Sequence, residues 1–247
     1  MSDPSDTAPS GSARTGGHED NLAEGQAGQD MLTSRLKALE DRIRAWGREP
    51  GDITVVGVTK GFGPELVETA LRAGLADLGE NYAPELLLKA RSGGSIRWHF
   101  LGAIQRNKVR TLCPVVSVWH SVTRLEEGAE IARHAPGARV FIQANFTGLA
   151  QRRGVAPTEV ARLVEGLSAY ELDIAGLMTM PAGTRGPPAR EVFARAADLA
   201  RGLGLRGLSM GMSTDVQDAV VEGSTVIRIG QGLFGPRPRV PVPRSAR

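Results

Sequence analysis

Eight short apolar runs alternate with amphipathic stretches along the middle of this chain, and that alternation restricts the fold more than any other feature. The runs are ITVVGV (53–58), ADLGE (76–80), RWHFLG (97–102), VVSVW (115–119), RVFIQAN (139–145), LDIAGLM (172–178), GLSM (207–210) and TVIRIG (225–230). Helical patterns are expected between them, for example at 64–74, 123–134, 157–167, 187–203 and 214–222, several opened by Pro64, Pro157 or a hydroxyl cap such as Ser213. Several runs are apolar throughout, as parallel strands covered on both faces are. Eight such units in about 200 residues predict an α/β fold, a single (β/α)8 TIM barrel, with an open doubly wound sheet as the alternative. Leu32, Leu36, Leu39, Ile43 and Trp46 recur at helical spacing and add an extra N-terminal helix ahead of the first strand.

The ends read differently. Residues 1–29 are rich in Ser, Gly, Asp, Ala and Pro without an apolar period, and a disordered N-terminal extension is expected there. The barrel then spans 30–237, and 238–247 alternates proline with arginine as a flexible tail. A net charge of +3 spread along the chain, with 4% aromatic residues, offers no basic face and little to stack on bases, so no nucleic-acid partner is expected. The lone Cys113 excludes an internal disulfide and reads as an apolar filler. No run of about 18 apolar residues occurs, so no membrane partner is expected and a cytoplasmic protein is.

Two glycine clusters demand an explanation. Gly230-Gln231-Gly232-Leu233-Phe234-Gly235 and Gly202-Leu203-Gly204-Leu205-Arg206-Gly207 both spell the dinucleotide fingerprint. That fingerprint needs a strand before it, a helix after it and an acidic residue about 20 positions on. The first is followed by Pro236-Arg237-Pro238-Arg239, and the second lies between a helix and a strand, the reverse order. In a barrel, phosphate is commonly held by the loops after strands 7 and 8. Those loops here are SMGMSTD (209–215) and the Gly230–Gly235 stretch, so the glycines predict a phosphate cradle rather than a nucleotide fold.

Lys60 closes the first strand, where an amine at a barrel mouth is placed for Schiff-base use. Arg228 lies two residues before Gly230 on the last strand. An aldehyde cofactor carrying a phosphate would bridge these groups. His99, between Trp98 and Phe100, reads as a packed, hydrogen-bonded residue more readily than as an acid or base, and with Asp77 and Glu80 it lacks the spacing of a metal site.

With those segments in view, the chain resembles the pyridoxal phosphate homeostasis proteins, which share the barrel of the alanine racemase N-terminal domain. The resemblance rests on VGVTK (56–60), LGENY (78–82), WHFLGAIQRNK (98–108), LMTMPA (177–182), LSMGMSTD (208–215) and GSTVIRIGQGLFG (223–235), and covers about residues 30 to 237. It implies that Lys60 forms a Schiff base with pyridoxal 5′-phosphate and that Ser209, Gly230 and the Gln231 amide hold its phosphate. It further implies that Arg228 faces the pyridine nitrogen and that Asn81 lines the cofactor face. The family commonly has threonine where this chain has Gln231, and a lysine-containing segment where this chain reads NFTGLAQRRG with Arg152 and Arg153.

A guanidinium is donor-only and always charged, so Arg228 disfavours a protonated ring nitrogen and weakens the cofactor as an electron sink. Racemases of this barrel take a second base, a tyrosine, from a C-terminal domain for which no residues follow Gly235; the tyrosines here are Tyr82 and Tyr170. The expected function is binding and homeostasis of pyridoxal phosphate without substantial turnover, by a monomer that passes cofactor to apoenzymes. A compact racemase-like enzyme is the alternative, and a Schiff-base aldolase a third reading.

Overall fold

The computed structural model describes residues 16–237; residues 1–15 and the tail expected at 238–247 lie outside the described residues. Eight parallel strands close into a barrel in the order β1 to β8. They are β1 (Thr54–Val58), β2 (Asp77–Glu80), β3 (Arg97–Phe100), β4 (Val116–Val122), β5 (Ala138–Gln143), β6 (Leu172–Met178), β7 (Gly207–Ser209) and β8 (Val226–Ile229). The last strand pairs with the first from Thr54↔Val226 to Gly57↔Ile229, which removes both sheet edges and excludes the open-sheet alternative. The helices are α1 (Gly16–Ala45), α2 (Glu65–Arg72), α3 (Ala83–Lys89), α4 (Arg106–Leu112), α5 (Leu125–His134), α6 (Val160–Leu167), α7 (Ala189–Gly202), α8 (Val216–Val221) and the single turn α9 (Gln231–Phe234).

Strand alternation divides the core in two. Val56, Val118, Phe141, Met178 and Val226 pack inside the barrel, while the larger apolar layer, with Leu78, Trp98, Trp119, Ile142 and Ile227, lies between strands and helices. Cys113 packs against this outer layer, where burial first and Glu130 second push its thiol up to about 11, consistent with a filler.

Helix α1 starts at Gly16, ahead of the expected boundary at residue 30. Its buried contacts explain where the apolar signal begins: Leu32, Leu39 and Ile43 are buried. Once those turns are docked, lengthening the helix toward Gly16 needs no new nucleus. Gln29 Nε2 also donates to the Arg72 carbonyl at 3.1 Å. At the other end of the contact, Arg35 Nη1 donates to the Leu233 carbonyl at 2.7 Å, tying α1 to α9 behind the glycine loop.

Candidate cofactor site at the barrel mouth

A cavity of about 280 Å³ opens at the C-terminal ends of the strands. Asn81, Arg228, Gly230 and Gln231 all line it, together with Ser213, Thr214 and Arg237. The expected site residues from β2 and β8 are thus brought together by the closure of the barrel.

Ser209 is placed elsewhere. It is fully buried below the cavity, where its hydroxyl accepts from Arg228 Nη1 at 2.6 Å and meets His120 Nδ1 at 2.8 Å. Its position inside β7 points it into the packed barrel, and the loop hydroxyl at the cavity wall belongs to Ser213. The glycine loop comes up against that hydroxyl: a Cβ on Gly232 would sit 3.0 Å from Ser213 Oγ. The cavity itself, lined by Ser213, Thr214, Gly230 and Gln231 with Arg228 and Arg237 on the same wall, fits a phosphorylated ligand.

Lys60 stands two residues past Val58, which lines the cavity, and its ammonium lies 5.1 Å from the centre of the Tyr82 ring. It occupies the second position of a turn in which Phe62 N donates to the Thr59 carbonyl at 3.0 Å. Gly61 takes the third position with φ +76°, the conformation a type II turn demands there.

Beneath the cavity, side chains from five strands form one hydrogen-bonded chain: Arg228, Ser209, His120, His99 and Asp77. His99 Nδ1 lies 2.8 Å from His120 Nε2, and His99 Nε2 lies 2.9 Å from Asp77 Oδ1. Arg228 only donates and an ionised Asp77 only accepts, so each link is used once when every proton points from Arg228 toward Asp77. Burial, aided by the charge of Arg228, holds His120 well below the ordinary histidine value, which keeps it neutral as this assignment requires. Burial raises the Asp77 carboxyl, but hydrogen bonds from His99 and Arg97 outweigh it and hold it below the usual range. Arg228 is also lowered by burial, to about 10, and stays protonated at neutral pH.

His99 is therefore a buried relay member, as its apolar flanks indicate. Glu80 faces the opposite side of the sheet and bonds to Thr59 and Lys89, away from His99. Among the described residues no group of three or more His, Cys, Asp or Glu is placed to hold a metal ion. The residue missed by sequence reasoning is His120. The apolar run ends at 119, whereas β4 continues to Val122 and carries His120 into the barrel. Its signal was a polar residue two positions past Val118 on the same strand face. Arg152 and Arg153 stay outside the cavity lining: Arg152 Nη2 donates to the Pro181 carbonyl at 3.2 Å and Arg153 pairs with Glu127 at 3.4 Å.

A family model described as the alanine racemase N-terminal domain matches residues 34–238. The chain belongs to this family of barrels and, within it, to the pyridoxal phosphate homeostasis proteins. A curated relative of that name from Pseudomonas aeruginosa is 36% identical over 209 residues, covering 81% of this chain and 91% of the relative. The relative from Bos taurus is 34% identical, covering 82% of this chain and 86% of its own length. Among solved structures, PipY of Synechococcus elongatus with pyridoxal phosphate bound superposes with a TM-score of 0.72 at 29% identity, covering 83% of this chain and all of that one. An alanine racemase from Clostridium difficile shares the fold at a TM-score of 0.66 and 18% identity, and this chain spans 59% of its length. Among the described residues no helix is long and apolar enough to cross a membrane.

Proposed function

We propose that this chain binds pyridoxal 5′-phosphate in the barrel-mouth cavity, holds it through Lys60 as a Schiff base, and serves cofactor homeostasis without substantial turnover. The observation that carries this reading is the joining, in one cavity, of Ser213, Thr214, Gly230, Gln231 and Arg228, with the Lys60 turn beside it, where Gly61 comes against Arg237 of the cavity wall. Family membership and the pyridoxal phosphate bound in PipY support it.

When bound, the cofactor supplies an aldehyde and an electron-withdrawing ring. Lys60 would take the place of the carbonyl oxygen with loss of water. Ser213, Thr214 and the amides of Gly230 and Gln231 would hold the phosphate, in place of the role expected of Ser209. Arg228 would donate to the ring nitrogen. Two further N–H groups are committed to Ser209 and to the Thr179 carbonyl at 3.1 Å, which fixes its orientation, and a guanidinium cannot act as a proton acceptor.

The same geometry favours holding over turnover. A racemase needs a second base across the cavity, but Tyr82 is half exposed and stacks on Lys60, while Tyr170 follows α6 at the start of β6, the far end of the barrel. His99 and His120 are buried and fully engaged. Cofactor held in this way would be released to apoenzymes, and a cytoplasmic monomer suits that role.

Borohydride reduction followed by peptide mapping tests the site: the adduct is expected on Lys60, and an adduct found only on Lys89 or Lys108 would overturn the assignment. Incubating the holo-protein with single enantiomers of amino acids tests turnover, and a steady change in chirality would favour the racemase-like reading.

A further inference from the structure

Lys89 is 2% exposed, and neither the sequence pattern nor the proposed site uses it. It is the last residue of α3, and its ammonium reaches back under the turn that carries Lys60. Lys89 Nζ donates to the Thr59 carbonyl at 2.7 Å, pairs closely with the fully buried Glu80, and lies 3.5 Å from Glu85. Each carboxylate then bonds to a residue of the turn, Glu80 to a side chain and Glu85 to the backbone. Glu80 accepts from the Thr59 hydroxyl at 2.8 Å and from the Asn81 amide at 3.0 Å. Glu85 accepts from the Gly61 amide at 3.1 Å.

The peptide groups on both sides of Lys60 are therefore bonded to a buried ionic cluster. Burying charge is costly, and a buried pair contributes little net stability compared with apolar packing. What such a cluster supplies is a fixed position, because charge-assisted bonds are short and directional. The turn needs that constraint. Gly61 leaves it flexible in the unbonded state, and nothing else on the C-terminal side of Lys60 before Phe62 has a side chain to pack.

We propose that Glu80, Glu85 and Lys89 are positioning residues that clamp the Thr59–Phe62 turn and so hold the Lys60 amine at the cofactor; this rests on the Lys60 assignment above. They touch the turn rather than the cofactor, so they act through Lys60. Glu85 is the informative position, because its side chain is 37% exposed and its loss leaves the core intact.

The test compares Glu85→Ala, Glu85→Gln and Lys89→Met with the parent in three readouts: retention of pyridoxal phosphate on dialysis, the fraction of borohydride adduct mapped to Lys60, and the thermal midpoint of the cofactor-free protein. Glu85→Ala is expected to keep the cofactor-free midpoint but weaken retention by about three- to tenfold, the loss of a single partly exposed hydrogen bond. Glu85→Gln, which keeps an acceptor for Gly61, is expected within about twofold of the parent. Lys89→Met is expected to lower both retention and the Lys60 adduct more than Glu85→Ala does. A folded Glu85→Ala variant that retains and reduces cofactor like the parent overturns the clamp, as does Glu85→Gln failing as badly as Glu85→Ala. A parent protein with no adduct on Lys60 overturns the site assignment itself.

Discussion

Arg228 on β8 donates to the Ser209 hydroxyl on β7 at 2.6 Å, at the head of a buried hydrogen-bonded chain that ends on Asp77. The arrangement that uses each link once has the hydroxyl give its proton to His120, His120 to His99, and His99 to Asp77. A polar column thus runs through the barrel interior beside its apolar cluster, with a donor at the cavity and an acceptor near the floor, capped by Arg97, whose Nε donates to Asp77 at 2.8 Å.

Two serines four residues apart should separate the column from the cradle. Ser209→Ala leaves buried nitrogens of Arg228 and His120 without a partner and is expected to cost about 1–3 kcal/mol of stability. Ser213→Ala is expected to spare stability and weaken pyridoxal phosphate binding by about tenfold. Thermal melting and absorbance titration of the two variants check this; a stable Ser209→Ala that loses its cofactor would return the phosphate role to Ser209.

The two glycine motifs should also part company. A Cβ on Gly230 would lie 3.3 Å from the Val58 carbonyl, so Gly230→Val crowds the first strand at the cavity and is expected to weaken cofactor retention at least about tenfold. Gly204 has φ +68° with no atom within 4 Å of an added Cβ, in the turn after α7. Gly204→Val is expected to cost about 1–2 kcal/mol through backbone strain and to leave affinity unchanged in the folded fraction. Tight NAD binding by the parent would contradict both assignments.

Asp77 supplies a pH signature. Its folded pKa lies below the ordinary 3.8, so the stability it contributes is present above that value and is lost as pH falls through the folded pKa. Asp77→Asn is expected to be destabilised at neutral pH by about 1–3 kcal/mol, with parent and variant converging below pH 3.8. Midpoints of urea unfolding across this range provide the measurement; an offset that persists unchanged at low pH would show that the charge is not responsible.

Helix α1 should divide at Leu32. Deleting residues 1–29 is expected to shift the thermal midpoint little, whereas Leu39→Ala or Ile43→Ala opens a cavity under the helix and costs about 2–5 kcal/mol. Arg35→Ala, which frees the Leu233 carbonyl, is expected to loosen α9 and lower cofactor retention about threefold without unfolding the barrel. Differential scanning calorimetry and dialysis of the holo-protein distinguish these outcomes.

What the sequence determined by itself is local or periodic. Eight apolar runs separated by amphipathic helices leave a closed barrel as the arrangement that covers both faces of each strand, and all eight strands overlap their expected positions. Lys60, Arg228 and the Gly230 loop were legible because each lies within or just past a strand end, where the barrel directs chemistry. Tertiary structure alone decided which polar residues face which. Ser209 and Ser213 look equivalent in SMGMSTD, yet one ends β7 inside the barrel and the other lies beyond the strand at the cavity wall. Lys89 reads as an ordinary helix-end lysine until α3 folds over the end of β1 and places it beside Glu80 and Thr59. His120 meets Ser209 across 89 positions of sequence. Contacts of that range are set by strand register around a closed barrel, which depends on all eight strands at once, so no local window of the chain contains them.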